Sequence, residues 1–287
     1  MPTRRPPRAG PWVGAALAAT LAGTVAAETV DLTKRLPDGG TARAAGDIAE
    51  AWYVGPTGRY AHGVLGDGIE AAGLAVTDRA GKTHVVALPD HAVFEDITPR
   101  LADLDGDGRS EVVTIRSTRT GGAALVLYGL SRGRLAEIAS IPPIGRGNRW
   151  LNPAAIADFD GDGRKDVALV KTPHIGGTLE IWGFDGAGLT LKAARAGFSN
   201  HAIGSRALDL AATVDADGDG IADLVLPDAA RRSLVAVTLK TGTIAILATE
   251  PAPGGVAGGV EARREAGGVA VRYTARDGTS RRVVLDL

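Results

Sequence analysis

Cysteine is absent from this sequence, which excludes a disulfide framework and any zinc site built on thiolates. Aromatic residues make up 4% of the chain, beside a single methionine, so a core must be assembled mostly from Ala, Val and Leu. Neither sign of charge is in excess: 32 Lys and Arg stand against 33 Asp and Glu, which argues against nucleic acid or an anionic membrane surface as partner. Long apolar runs are missing too. The stretch Trp12-Val-Gly-Ala-Ala-Leu-Ala-Ala falls well short of the ~20 residues of a membrane-spanning helix. There is no Gly-x-Ser-x-Gly elbow and no phosphate loop. The histidines (His62, His84, His91, His174, His201) have neither metal-site spacing nor an adjacent nucleophile, so no catalytic residue is assigned.

Glycine is plentiful, at 40 residues, and its placement is informative. Asp103-Leu-Asp-Gly-Asp-Gly-Arg-Ser-Glu111 recurs as Asp158-Phe-Asp-Gly-Asp-Gly-Arg-Lys-Asp166 and as Asp215-Ala-Asp-Gly-Asp-Gly-Ile-Ala-Asp223. Each copy sets carboxylates at positions 1, 3, 5 and 9: Asp103, Asp105, Asp107 and Glu111; Asp158, Asp160, Asp162 and Asp166; Asp215, Asp217, Asp219 and Asp223. Glycine at position 6 (Gly108, Gly163, Gly220) permits a sharp turn. Four carboxylates crowded into a tight turn repel one another unless a cation sits among them. An oxygen-only donor set in a flexible loop selects Ca²⁺ over Zn²⁺ and Mg²⁺. The position-7 backbone carbonyls of Arg109, Arg164 and Ile221 complete the expected ligands, giving three Ca²⁺ sites.

An EF-hand would need an acid at position 12, where Thr114, Leu169 and Leu226 stand. The first aspartates lie 55 and 57 residues apart, the length of a four-stranded unit and not of a short calcium-binding coil. Each loop is left by a β-branched run such as Glu111-Val-Val-Thr-Ile115, which makes it a hairpin turn.

With these residues in place, the Asp-x-Asp-Gly-Asp-Gly-x-x-Asp/Glu loop between strands resembles the FG-GAP/VCBS repeat of bacterial secreted proteins, related to the integrin α-chain propeller. The resemblance covers roughly residues 95 to 250. It implies an all-β fold, a β-propeller whose calcium loops join the innermost strand of a blade to the next, and no single activity.

Residues 1–27 read as an export signal, with Arg4, Arg5 and Arg8 before the apolar run and Val25-Ala-Ala27 as a cleavage site; an uncleaved anchor is the alternative. Its loss leaves 29 basic against 33 acidic residues, a net charge of −4, and bound calcium would offset this. The mature chain is then exported, periplasmic or secreted, without a membrane span, and a monomer. Residues 28–46 read as one strand and a linker, and 47–287 as the repeat domain. Aligned by Gly66-Asp-Gly68, an earlier repeat without calcium carries Gly63, Leu65 and Ala71 at ligand positions. Strands are expected at 48–54, 59–65, 74–76 and 83–88, and at 97–104, 111–117, 123–129 and 134–141. A second set is expected at 153–158, 165–171, 178–184 and 189–195, and a third at 207–214, 221–227, 233–239 and 243–249. The last, at 256–262, 267–274 and 278–285, is one strand short. A strand from between Glu28 and Val54 is therefore expected to pair near 278–285 and close a propeller of five four-stranded blades, with four or six as alternatives.

Sites other than calcium are expected on the face opposite its hairpins. Arg149, Trp150, Asn152, His174, Asn200, His201 and Arg206 combine hydrogen-bonding forks with a flat apolar surface, as a glycan, peptide or protein ligand would require. These features point to an exported calcium-binding module that binds a partner without catalysis. A polysaccharide lyase or hydrolase on the same face, and a purely structural envelope protein, are the competing readings.

Overall fold

The computed structural model describes residues 1–3 and 30–287; beyond its first three residues, the expected export signal lies outside the described residues. The described residues form twenty strands in order: β1 (Thr41–Arg43), β2 (Ile48–Thr57), β3 (Glu70–Asp78), β4 (Thr83–Ala87), β5 (Ala92–Phe94), β6 (Arg100–Ala102), β7 (Glu111–Thr118), β8 (Gly122–Ser131), β9 (Arg134–Ser140), β10 (Leu151–Ala157), β11 (Asp166–Lys171), β12 (Thr178–Phe184), β13 (Leu189–Ala196), β14 (Ala212–Val214), β15 (Asp223–Pro227), β16 (Ser233–Lys240), β17 (Thr243–Pro251), β18 (Val256–Glu265), β19 (Gly268–Ala275) and β20 (Ser280–Leu285). Among the described residues, no helix is long and apolar enough to cross a membrane.

All pairings among the described residues are antiparallel, in four sheets: a nine-stranded one (β1 to β9) and sheets of four (β10 to β13), four (β14 to β17) and three strands (β18 to β20). Middle strands are buried on both faces and read as continuous apolar runs, as in Ala123-Ala-Leu-Val-Leu-Tyr128 of β8. Outer strands such as β13, Leu-Thr-Leu-Lys-Ala-Ala-Arg-Ala, are mostly exposed and carry the charge. The sheets pack in succession. Phe94, Ile115, Leu125 and Trp150 meet Val167 and Leu169 between the first and second. Phe159, Val170 and Ile181 meet Leu226 and Val235 between the second and third. Val225 and Leu234 meet Val269, Val271 and Tyr273 between the third and fourth.

This architecture corrects the expectation of a five-bladed β-propeller. None of the four sheets is closed or curled on itself. The N-terminal strand does not complete the last sheet: β1 pairs with β2, Thr41 opposite Trp52, and β20 pairs with β19. The first two four-strand groups are not separate blades either. The short β5 pairs with β3 through Ala71↔Phe94 and with β7 through Ala92↔Thr118, so it stitches both groups into one sheet. The early repeat is also displaced. Residues 59–65 form no strand; they lie in the loop between β2 and β3, at the strand ends opposite the acidic loops. The hairpin matching those loops is 44–47, between β1 and β2, and Asp47 Oδ1 there accepts a hydrogen bond from the Ser110 amide at 2.7 Å. From 111 onwards, the expected strands agree with the observed ones within about three residues, except that β14 is confined to 212–214.

Candidate functional site

The three acidic loops are hairpin turns in one register: Ala102↔Glu111, Ala157↔Asp166 and Val214↔Asp223. Their internal bonds repeat as well. In the first, Asp103 accepts the amides of Gly106 at 2.8 Å and Gly108 at 3.0 Å, and Asp107 accepts that of Arg109 at 2.8 Å. Glu111 Oε2 reaches back to the Leu104 amide at 2.8 Å. Asp166 does the same to Phe159 at 3.3 Å, and Asp223 to Ala216 at 2.9 Å. Gly108, Gly163 and Gly220 all have φ of +86° with open space where a Cβ would lie, so glycine is required there for conformation and not for clearance.

In each loop, positions 1, 3 and 9 converge: ligand atoms of Asp103, Asp105 and Glu111, of Asp158, Asp160 and Asp166, and of Asp215, Asp217 and Asp223 lie within 4.8 Å of one another. Asp107, Asp162 and Asp219 stand apart from these trios and bond the position-7 amides. The closing carboxylate is buried in every loop. Burial, with the neighbouring aspartates, pushes Glu111 up to about 7. It pushes Asp166 up to about 6 against the pull of Lys192 and raises Asp223. Asp223 Oδ1 is buried without a well-directed donor, although the Thr238 hydroxyl nearby favours its charged form. A buried carboxylate oxygen without a well-directed donor, beside two further carboxylates, suits a hard divalent cation. The donor chemistry and the orphaned oxygen therefore fit.

The strand ends opposite these loops enclose a cavity of about 280 Å³, walled by His62, Arg149, His174, Ile175 and Ile203 among others. Its segments come from the second-to-third strand loops and the inter-sheet connections, the places where the sequence put a ligand face. The predicted residues divide there. Arg149, Trp150 and His174 line the cavity. Trp150 is 2% exposed; its indole N–H donates to the Glu95 carbonyl at 2.9 Å, and it stacks parallel to His174. Asn152 and Asn200 are fully buried and exchange amide bonds, Nδ2 of each donating to the other's carbonyl at 3.2 and 3.0 Å. Arg206 pairs with Asp38 and with Asp67, the latter at 2.5 Å.

His201 is buried, and its Nε2–H donates to the Ser205 carbonyl at 2.9 Å. Its Nδ1 must then accept from His174 Nε2–H, 2.7 Å away, which leaves His174 Nδ1 with a bare lone pair. Burial holds both rings down to about 4, so they are neutral at neutral pH. Sequence reasoning missed the partner across the cavity: His62 Nδ1 contacts Glu95 Oε1 at 2.5 Å, and the Ser117 hydroxyl donates to the other Glu95 oxygen. Burial raises the Glu95 carboxyl while His62 pulls it back. No spacing joins residues 62, 95 and 117, and only the sheet pairing through β5 brings them together.

A family model described as an FG-GAP-like repeat matches residues 103–169 and 158–226. Each match runs from the first aspartate of one loop into the strand that follows the next loop. The repeat resemblance is thus shown over 103–226. No curated protein matches the chain.

Proposed function

We propose that this chain is an exported calcium-binding module in which Ca²⁺ staples acidic hairpins of successive sheets, while the cavity at the opposite strand ends binds a glycan, peptide or protein partner without catalysis. The convergence of three oxygen-only trios, each with a buried closing carboxylate, carries the calcium part. Binding to the folded chain alone would stabilise it by about 2.7 kcal/mol per site at a hundredfold excess over Kd. Extracellular modules often bind with Kd on the order of 10⁻⁴ to 10⁻³ M, which suits a permanent staple better than a switch. In the cavity, Arg149 offers a fork of donors, His174 Nδ1 an acceptor, and the exposed Ile175 and Ile203 apolar contact.

Thermal unfolding of residues 28–287, stripped with chelator and then titrated with Ca²⁺ beside Mg²⁺, tests the reading. The midpoint is expected to rise steeply with Ca²⁺ and little with Mg²⁺. A midpoint indifferent to both ions would remove metal from the account.

One observation favours the enzymatic alternative: His62, at the cavity wall, is backed by the buried Glu95 carboxylate, an arrangement suited to proton transfer. Turnover of acidic polysaccharides, abolished by His62→Asn, would move the assignment to a lyase or hydrolase.

A further inference from the structure

The three acidic loops share a register, so the side chains around them can be compared position by position. Opposite Asp166 stands Gly183. One step beyond the pairs Val112↔Tyr128 and Leu224↔Val237 stand Gly129 and Thr238. The next strand of each sheet carries a bulge at one equivalent place. The register shifts between Leu127 and Tyr128 and leaves Ile138 as the extra residue. It shifts between Ile181 and Trp182 and leaves Lys192, and between Ala236 and Val237 and leaves Leu247. A bulge re-aims the residue it inserts.

In the first sheet the bulge carries Ile138, which together with Asp105, Asp107 and Glu111 lines a cavity of about 160 Å³. In the second, the Lys192 stem crosses Gly183, where an added Cβ would stand 2.5 Å from its Cε. Its ammonium lies 2.6 Å from Asp160 Oδ2, 3.0 Å from Asp162 Oδ2 and 2.8 Å from Asp166 Oδ1. These are carboxylates at positions 3, 5 and 9, and the Lys192 side chain is only 20% exposed. The third loop has looser neighbours: Lys240, 53% exposed, touches Asp217 alone at 2.8 Å, and Arg264 stands 3.8 Å from Asp215. Such exposed pairs open at little cost. Among the described residues, no ion pair involves Asp103, Asp105, Asp107 or Glu111, and Arg109 turns to Asp47 at 3.6 Å.

We propose that the middle loop carries its own cation, the Lys192 ammonium, on two of the three carboxylates, Asp160 and Asp166, that would seat a divalent ion there, so that the chain binds two Ca²⁺ where the repeats alone suggest three. The inference rests on the calcium reading of the first and third loops. Two cations cannot share one set of oxygens without strong repulsion, so Ca²⁺ enters the middle loop only when Lys192 swings out. The second of the four sheets is thereby stapled at its acidic hairpin whether or not calcium is present.

Isothermal titration of the chelator-stripped chain with CaCl₂ tests this. The wild type is expected to bind two ions, Lys192→Met three, and Lys192→Arg, which keeps the charge, two. Adding Asp160→Asn to Lys192→Met should return the count to two. Without metal, Lys192→Met leaves Asp160 and Asp166 unbalanced, so its midpoint should fall below that of the wild type and recover with Ca²⁺. Should it unfold without metal, calcium-dependent refolding reads the added ion. Three ions in the wild type, or an unchanged count in Lys192→Met, would overturn the proposal. No ion in the wild type but one in Lys192→Met would uphold the lysine plug and overturn the calcium reading of the outer loops. No ion in either would sink both.

Discussion

Glu70→Gln is expected to raise the thermal midpoint at pH 8 by roughly 5 to 15 °C and to leave it almost unchanged near pH 4.5. Glu70 opens β3 and is 2% exposed. Burial pushes its carboxyl from the ordinary 4.5 up to about 10, and Glu95, Asp67, Asp38 and Asp96 add to the shift by repulsion. The folded chain therefore keeps a proton that the unfolded chain gives up above pH 4.5. Stability from this group is complete below pH 4.5 and is lost progressively as pH rises towards 10. By pH 8 the loss amounts to at most about 5 kcal/mol, at 1.36 kcal/mol per unit. Glutamine has the same shape and no proton to hold, and 1 kcal/mol moves the midpoint of a chain near this size by about 2 to 4 °C. Calorimetric scans at the two pH values decide the matter, because an equal gain at both would mean that packing, and not charge, is responsible.

Trp150→Ala should cost about 3 to 5 kcal/mol, with a further contribution from the buried Glu95 carbonyl that loses its donor. The ring is packed parallel to His174 at 6.2 Å between centroids and edge-on to His201 at 4.7 Å, and it belongs to the core shared by the first two sheets. Trp150→Phe keeps most of the apolar contact and should lose only about 1 to 3 kcal/mol. Urea unfolding with an unchanged m-value is the appropriate measurement. Calcium stoichiometry should not move in either variant, since the acidic loops lie at the other strand ends. A Trp150→Ala chain as stable as the wild type would make this residue a surface for ligand and not a keystone of the core.

The acidic loops were legible because their chemistry is local: a fixed spacing of carboxylates around a glycine at φ +86° is determined within nine residues. The strands from Glu111 onwards were legible for a related reason, since apolar runs and turn residues alternate without interruption. What escaped depends on partners far along the chain. Gly66-Asp-Gly68 looks like part of a calcium loop, but turn composition does not tell which end of a strand a loop occupies. Pairing does, and it puts this loop beside the cavity, where Gly204 donates its amide to the Val64 carbonyl at 2.8 Å. Closure failed as a prediction for the same reason. Thr41–Arg43 could have paired with either of two edges, and nothing in its three residues favours β20 over β2. Lys192 carries a faint signal: a charged residue where Ile138 and Leu247 are apolar. It becomes visible only after the bulges fix the register. Trp150 and the Asn152–Asn200 pair were chosen for residue types that serve ligands and cores equally well; all three are buried, and Trp150 still borders the cavity.

The succession of sheets, each packed on its sequence neighbours, also sets the order in which the molecule can come apart. The sheet of β18, β19 and β20 shares a core with the third sheet only, and its outer edge is β20. Arg281 and Arg282 on that edge pair with Asp277 and Glu265, and their charges discourage a second chain from adding there. Slow amide exchange should therefore be lost first over 256–285 and last around β8 and β11, so that local opening proceeds inwards from one side, like a row of books losing its end support.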